Sequence, residues 1–220
     1  MAETGLIKGL AAIQAAVESR SGDFGEGARW LKLESGKSAK IWFLQEFDDN
    51  SPNYNEKAGA IVLAVEHSSP FNFLKKALCT KDDGECLACE MNKANPKKGW
   101  NQKMRLYANV LVNDGKEDPY VAILSQGIGP KSITPALAEM ANEYGGVTGT
   151  QFSIKRTGEK METSYTIFPL PGGTAPNPDD YELYDLGKVA TRNIPYEEQA
   201  EFYEIKQDEA TTESAEDFTW

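Results

Sequence analysis

With 220 residues, 40% of them hydrophobic, the chain can bury one main core and carry appendages. No apolar run nears the roughly 20 residues of a membrane span, and the N-terminus lacks the basic start, apolar stretch and cleavage site of a secretory leader, so a soluble, intracellular protein is expected. The net charge of −11 argues against a nucleic-acid partner only until it is divided: Tyr196–Trp220 carries −8 and the rest of the chain −3, and "KANPKKGWNQKMR" (93–105) holds five bases and no acid.

In chain order, residues 4–19 predict an amphipathic helix: Thr4 caps it, and Leu6, Leu10, Ile13 and Val17 form one stripe. With the glycine-rich "SGDFGEGA" after it, this makes an N-terminal appendage over 1–28. From Arg29 the pattern turns to strands. "RWLKLESGKSAKIWFLQEF" reads as a hairpin about Ser-Gly-Lys-Ser. "AIVLAVEH", "RLYANVLVN", "YVAILSQ", "TQFSIKRTG" and "TSYTIFPL" are further strands. "SITPALAEMANEYGG" is a helix with Thr134 as cap, Pro135 first inside and glycines to stop it.

A helix after two long strands, followed by a final hairpin, matches the order of an OB-fold, a five-stranded Greek-key barrel. The expected fold is therefore mainly β: an OB-like core over 29–195 with few helices. The core is expected to end after "PLPGGTAPNPDD", whose prolines and glycines continue neither strand nor helix. "PYEEQAEFYEI" predicts a short helix, and 196–220 as a whole reads as an acidic tail, disordered toward its end.

The chain's only histidine and all three of its cysteines fall within 23 residues, as His67, Cys79, Cys86 and Cys89. Cys-x-x-Cys lets two thiolates of one turn reach the same ion, and His67 and Cys79 complete a tetrahedron. Zinc suits this mixture of sulfur and imidazole, and four protein ligands imply a structural site. A thioredoxin-like pair is disfavoured because no βαβ pattern surrounds "CLAC". A zinc deaminase needs His-x-Glu and a proline before Cys-x-x-Cys, whereas Ser68 and Ser69 follow His67 and Glu85 precedes Cys86. No second histidine is present to build a hydrolase centre, so no enzymatic activity is expected. The ion would order a long insertion, about 67–105, that has too few apolar residues to fold alone.

That insertion interleaves cations with rings. Lys93, Lys97, Lys98, Lys103 and Arg105 stand beside Trp100 and Tyr107, with Phe71 and Phe73 on the other side of the cysteines. Single-stranded nucleic acid needs this combination, cations for phosphates and flat rings for unpaired bases. Arg29, Trp30, Lys32, Lys37, Lys40 and Trp42 repeat it, as do Phe152, Lys155, Arg156 and Tyr165. Burial in the barrel explains Trp42 and Phe152 equally well; Trp100, in a polar loop, is expected at the surface.

The metal quartet inserted in an OB-like strand series, the basic and aromatic stretch after it and the acidic C-terminus together resemble the zinc-containing single-stranded-DNA-binding proteins of T-even-type bacteriophages. The resemblance covers roughly residues 29–220. It implies binding of single-stranded DNA in phage replication, recombination and repair within the host cytoplasm, with DNA contacts inherited by Trp100, Arg105 and Tyr107. Self-association on DNA is a further implication, although the family's N-terminus is basic and this one is nearly neutral. The interval from Cys79 to Cys86 is also shorter than the family's.

Under this reading the tail competes with DNA for the basic surface. Its ending, with Glu216, Asp217, Phe218 and Trp220, is placed to recruit replication or recombination proteins. The alternative from the same residues is a zinc-stabilised protein-interaction adaptor or virion component without DNA binding.

Overall fold

The computed structural model describes residues 27–113, 115 and 117–205. The predicted helix over 4–19 and the tail tip with Glu216, Asp217, Phe218 and Trp220 lie outside the described residues. The frame is a mainly antiparallel, open, seven-stranded sheet: β1 (Ser38–Phe43), β2 (Val62–Ser68), β3 (Lys76–Leu78), β4 (Lys103–Val112), β5 (Tyr120–Gly127), β6 (Gln151–Thr157) and β7 (Ser164–Leu170). The path runs β3-β2-β4-β1-β6-β7, with β5 also paired to β4. Among the described residues four α-helices accompany it: α1 (Leu87–Ala94), α2 (Thr134–Tyr144), α3 (Leu186–Val189) and α4 (Tyr196–Phe202).

β4 organises the sheet. One edge pairs first with β2, from Lys103 to Tyr107, and then with β1, from Val110 to Val112; the other edge pairs with β5 from Arg105 to Val112. Period-2 alternation sorts its side chains. Leu106, Ala108, Val110 and Val112 join Ile41, Phe43, Leu124, Phe152, Ile154 and Ile167 in the main core, which Ile133 and Leu137 close from the α2 side. On the opposite face Tyr107 and Ile123 meet Trp30, Leu186 and Ala190, while Leu111 meets Trp42, Leu44, Tyr181 and Leu183. Both faces are thus covered, which is why this strand reads as an almost unbroken apolar run.

Two buried polar anchors hold the layers in register. Glu46 accepts hydrogen bonds from the Val147 and Thr148 amides at 2.9–3.1 Å and from the Thr148 hydroxyl, fixing the loop that follows α2. The loop comes so close that a Cβ on Gly146 would lie 2.6 Å from Glu46 Oε1. Asn109 brackets the Tyr184 backbone, donating to its carbonyl and accepting from its amide, each at 3.0 Å.

Three sequence expectations change here. The first run of the predicted hairpin pairs not with β1 but with β5: Trp30 bridges Ile123 in parallel, and Leu31 donates to the Ile123 carbonyl at 2.9 Å. β1 has no edge to offer, because β4 and β6 occupy both. The core does not end at the Pro/Gly-rich stretch, since Leu186, Ala190 and Tyr203 beyond it are buried. Finally, α2 starts one residue earlier than predicted: Ile133 is the cap, and the Thr134 hydroxyl donates instead to the Gly127 carbonyl at 2.7 Å.

Candidate metal centre

β2 and β4 run side by side, and the chain between them leaves the sheet as the predicted insertion. It is not structureless: β3 pairs back onto β2, opposing Ala77 to His67, and α1 begins at the Cys-x-x-Cys. Cys79 follows β3 directly and is tied in by its amide, which donates to the Val65 carbonyl at 2.8 Å. Cys86 caps α1, and Cys89 lies within its first turn. A strand end, a post-strand residue and one helical turn therefore converge.

The donor atoms of His67, Cys79, Cys86 and Cys89 all lie within 4.8 Å of one another. Cys79 Sγ and Cys89 Sγ are 3.6 Å apart, and Cys89 Sγ is 3.4 Å from His67 Nε2. Sulfurs bound at about 2.3 Å to one tetrahedral ion are separated by about 3.7–3.8 Å, so the spacing fits a shared ion, and all three cysteines are free thiols rather than disulfide partners. The cluster can hold a metal ion.

The surroundings orient the donors. His67 Nδ1 lies 2.7 Å from the Trp100 carbonyl; as donor there, it leaves Nε2 facing the sulfurs. Burial lowers the His67 pKa, partly offset by that hydrogen bond, which favours the neutral imidazole a metal requires. Because the folded value lies below the unfolded one, this stabilisation is present above the ordinary imidazole pKa and lost as pH falls through the lowered one. Burial and the neighbouring thiols push Cys89 up to about 12. A metal would have to displace that proton. The Gln102 amide donates to Cys79 Sγ at 3.1 Å and approaches Cys89 Sγ at 3.5 Å.

Trp100 corrects the sequence expectation most sharply. It is 0% exposed and fills the small core behind the ligands with Ala77, Cys86, Ala88 and Tyr203, so it presents no face for a base. Its ring meets Tyr203 edge-on at 5.1 Å. Tyr203 belongs to the stretch assigned to the acidic tail, which therefore begins later than residue 196. Gln199 of α4 accepts from the Leu87 amide at 2.9 Å and donates to Thr80 Oγ1 and the Ile194 carbonyl. Residues 196–205 thus complete the small core behind the His/Cys cluster, because the insertion lacks the apolar side chains to close it alone.

Tyr107 is also buried, and its hydroxyl donates to the Glu66 carboxylate at 3.0 Å. Lys76 pairs with the same carboxylate at 3.2 Å and donates to the Tyr107 hydroxyl. Tyr107 is consequently a support for a buried ionic cluster and not a stacking platform. Burial lowers the Lys76 pKa, with Glu66 opposing, and burial and Glu66 together raise that of Tyr107.

Other predicted contacts serve the fold as well. Arg29 lies 3.5 Å over the Tyr120 ring and pairs with Glu117 at 3.1 Å. Trp30, half-buried, meets Tyr107 edge-on at 6.2 Å. Arg156 donates to the Leu33 carbonyl at 2.8 Å, and Arg105 to Ser125 Oγ at 3.0 Å.

The surface set that remains is Phe71, Phe73, Lys93, Lys97, Lys98 and Lys103 on the insertion, with Lys32, Lys40 and Lys155 elsewhere on the chain. Phe71 and Phe73 are 53% and 76% exposed. Phe71 rests edge-on against Trp100 at 6.2 Å, and a Cβ on Gly99 would lie 3.7 Å from Pro70 Cβ, so the Pro96–Gly99 turn sits against the phenylalanine loop. Gln102, Gln199 and Tyr203 went unread in the sequence, since no spacing rule ties them to the ligands. No helix among the described residues is long and apolar enough to cross a membrane. No protein-family model matches the chain, and searches of curated proteins and of solved structures return no match.

Proposed function

We propose that the chain is a non-catalytic, sequence-tolerant single-stranded-DNA-binding protein built on an OB-type barrel and held by one structural zinc ion. The strand order β5-β4-β1-β6-β7, with α2 between β5 and β6, supports the OB reading, β2 and β3 belonging to an insertion between the first and second barrel strands. Three sulfurs and one imidazole at tetrahedral spacing favour zinc, and four protein ligands leave no position for a reactive water.

The observation that carries the proposal is the surface of the metal-held insertion: two phenylalanines left half to three-quarters exposed beside an exposed Lys97–Lys98 turn, with Lys93 and Lys103 flanking it. Rings on a rigid support among cations stack unpaired bases and neutralise phosphates. By the resemblance already described, the setting is phage replication, recombination and repair, with the acidic C-terminus recruiting partner enzymes.

Titration of labelled oligo-dT by fluorescence anisotropy tests the proposal. Binding at low salt should weaken with a log–log salt slope of about −3 if the four insertion lysines meet phosphates. Absence of binding at low salt would instead favour an adaptor that uses the exposed phenylalanines to dock a protein.

A further inference from the structure

β7 meets the loop that follows β5 through one backbone hydrogen bond, from the Tyr165 amide to the Lys131 carbonyl at 2.8 Å, and among the described residues no ladder joins β5 to β7. A groove of about 570 Å³ opens at this seam, and Arg105, Gln126, Lys131, Thr163 and Tyr165 are among its lining residues. Gln126 is out of character with its face of β5, where Ala122 and Leu124 belong to the apolar core. It opposes Leu106, is only 5% exposed, and its Oε1 is buried without a donor. Buried acceptors nearly always find a partner, so one lining a groove asks for a ligand N–H.

The remaining lining describes that ligand. Arg105 and Lys131 bring positive charge, the latter held by an exposed pair with Glu162 at 3.4 Å that a stronger anion can exchange. Tyr165 supplies a half-buried ring. An N–H donor on a flat group, joined to an anion, describes a nucleotide.

Resting on the single-strand reading above, we infer that this seam is a base-edge subsite: one nucleobase of the bound strand inserts its Watson–Crick edge and donates an N–H, which every base carries there, to Gln126 Oε1, while its phosphate lies toward Arg105 and Lys131. Binding elsewhere on the surface is indifferent to base edges, because stacking and phosphate contacts ignore them. Here the edge is read.

The test compares oligo-dT with the same oligomer carrying 3-methylthymine throughout, which keeps ring and phosphates but lacks the N3–H. The intact protein should bind the methylated strand about tenfold more weakly. Gln126→Met, similar in volume and without the acceptor, should bind both strands alike, near the level of the intact protein on the methylated one. Equal affinity of the intact protein for both strands overturns the inference, as does a methylation penalty undiminished in Gln126→Met. Should that variant fail to fold, side-chain amide NMR of the intact protein decides: the Gln126 signals should shift with oligo-dT and not with the methylated strand, and identical shifts with both would overturn it. If the intact protein binds neither strand at low salt, the single-strand reading itself falls and takes this subsite with it.

Discussion

His67 joins the candidate metal to the basic strip through its two ring nitrogens: Nε2 lies 3.4 Å from Cys89 Sγ, while Nδ1 meets the Trp100 carbonyl at 2.7 Å. The residue that would ligate the ion therefore also fixes the backbone from which Gln102 and Lys103 extend. Replacing it with alanine should remove both roles. His67→Ala is expected to lose stoichiometric zinc by elemental analysis and to lower Tm by about 10 °C, as removal of one partner from a buried cluster costs roughly 3–5 kcal/mol. Full zinc retention would contradict the assignment.

Acid should act on the same centre. The lowered His67 pKa and the need for deprotonated thiols mean that protons compete with metal. Zinc content and Tm are expected to hold above the ordinary imidazole pKa and to fall together as pH drops through the lowered His67 pKa. A chromophoric chelator titrated across pH reads this directly, and a Tm that falls on acidification while zinc stays bound would contradict the assignment.

Trp100 and Phe73 should separate cleanly. Phe73→Ala is expected to weaken oligo-dT binding by about 5- to 150-fold, the range for one stacked base, without moving Tm, because the ring is 76% exposed. Trp100→Ala should instead cost roughly 3–5 kcal/mol of stability, since its ring fills the core behind the ligands. Thermal melts and anisotropy on both variants check the contrast; a stable Trp100→Ala with a selective binding defect would restore the surface role that its burial denies.

The Glu46 clamp makes a prediction independent of function. Gly146→Ala drives a Cβ to within 2.6 Å of the Glu46 carboxylate and should destabilise by about 1–3 kcal/mol, the usual cost of overpacking. Glu46→Ala, which leaves the buried Val147 amide and the part-buried Thr148 amide without an acceptor, should cost at least as much. Denaturant unfolding of both variants measures it.

The strands and the His/Cys cluster were legible in the sequence because both obey short-range rules. The near-continuous apolar run over 106–112 and the alternation over 151–157 report strands wherever they pair, and the confinement of one histidine and three cysteines to 23 residues leaves few chemistries besides a metal. What escaped depends on long-range pairing. Nothing near Trp30 says that it will bridge Ile123 rather than fold back on β1. Trp100 sits in a polar loop, yet its burial is decided by Tyr203, about a hundred positions away, and Tyr203 itself lies in a segment whose acidity hides its packing residues. The Pro/Gly-rich stretch misled for a related reason: it ends the last strand, but Asn109 then captures the chain at Tyr184 and carries it back over the sheet.

The most direct measurement of the central claim is the affinity for oligo-dT at low salt before metal removal, after it and after zinc is restored. The account predicts tight, salt-sensitive binding with one zinc per chain, a loss of at least about tenfold when the ion is stripped, and recovery on its return. A metal-free protein that stays folded and binds with undiminished affinity would contradict it.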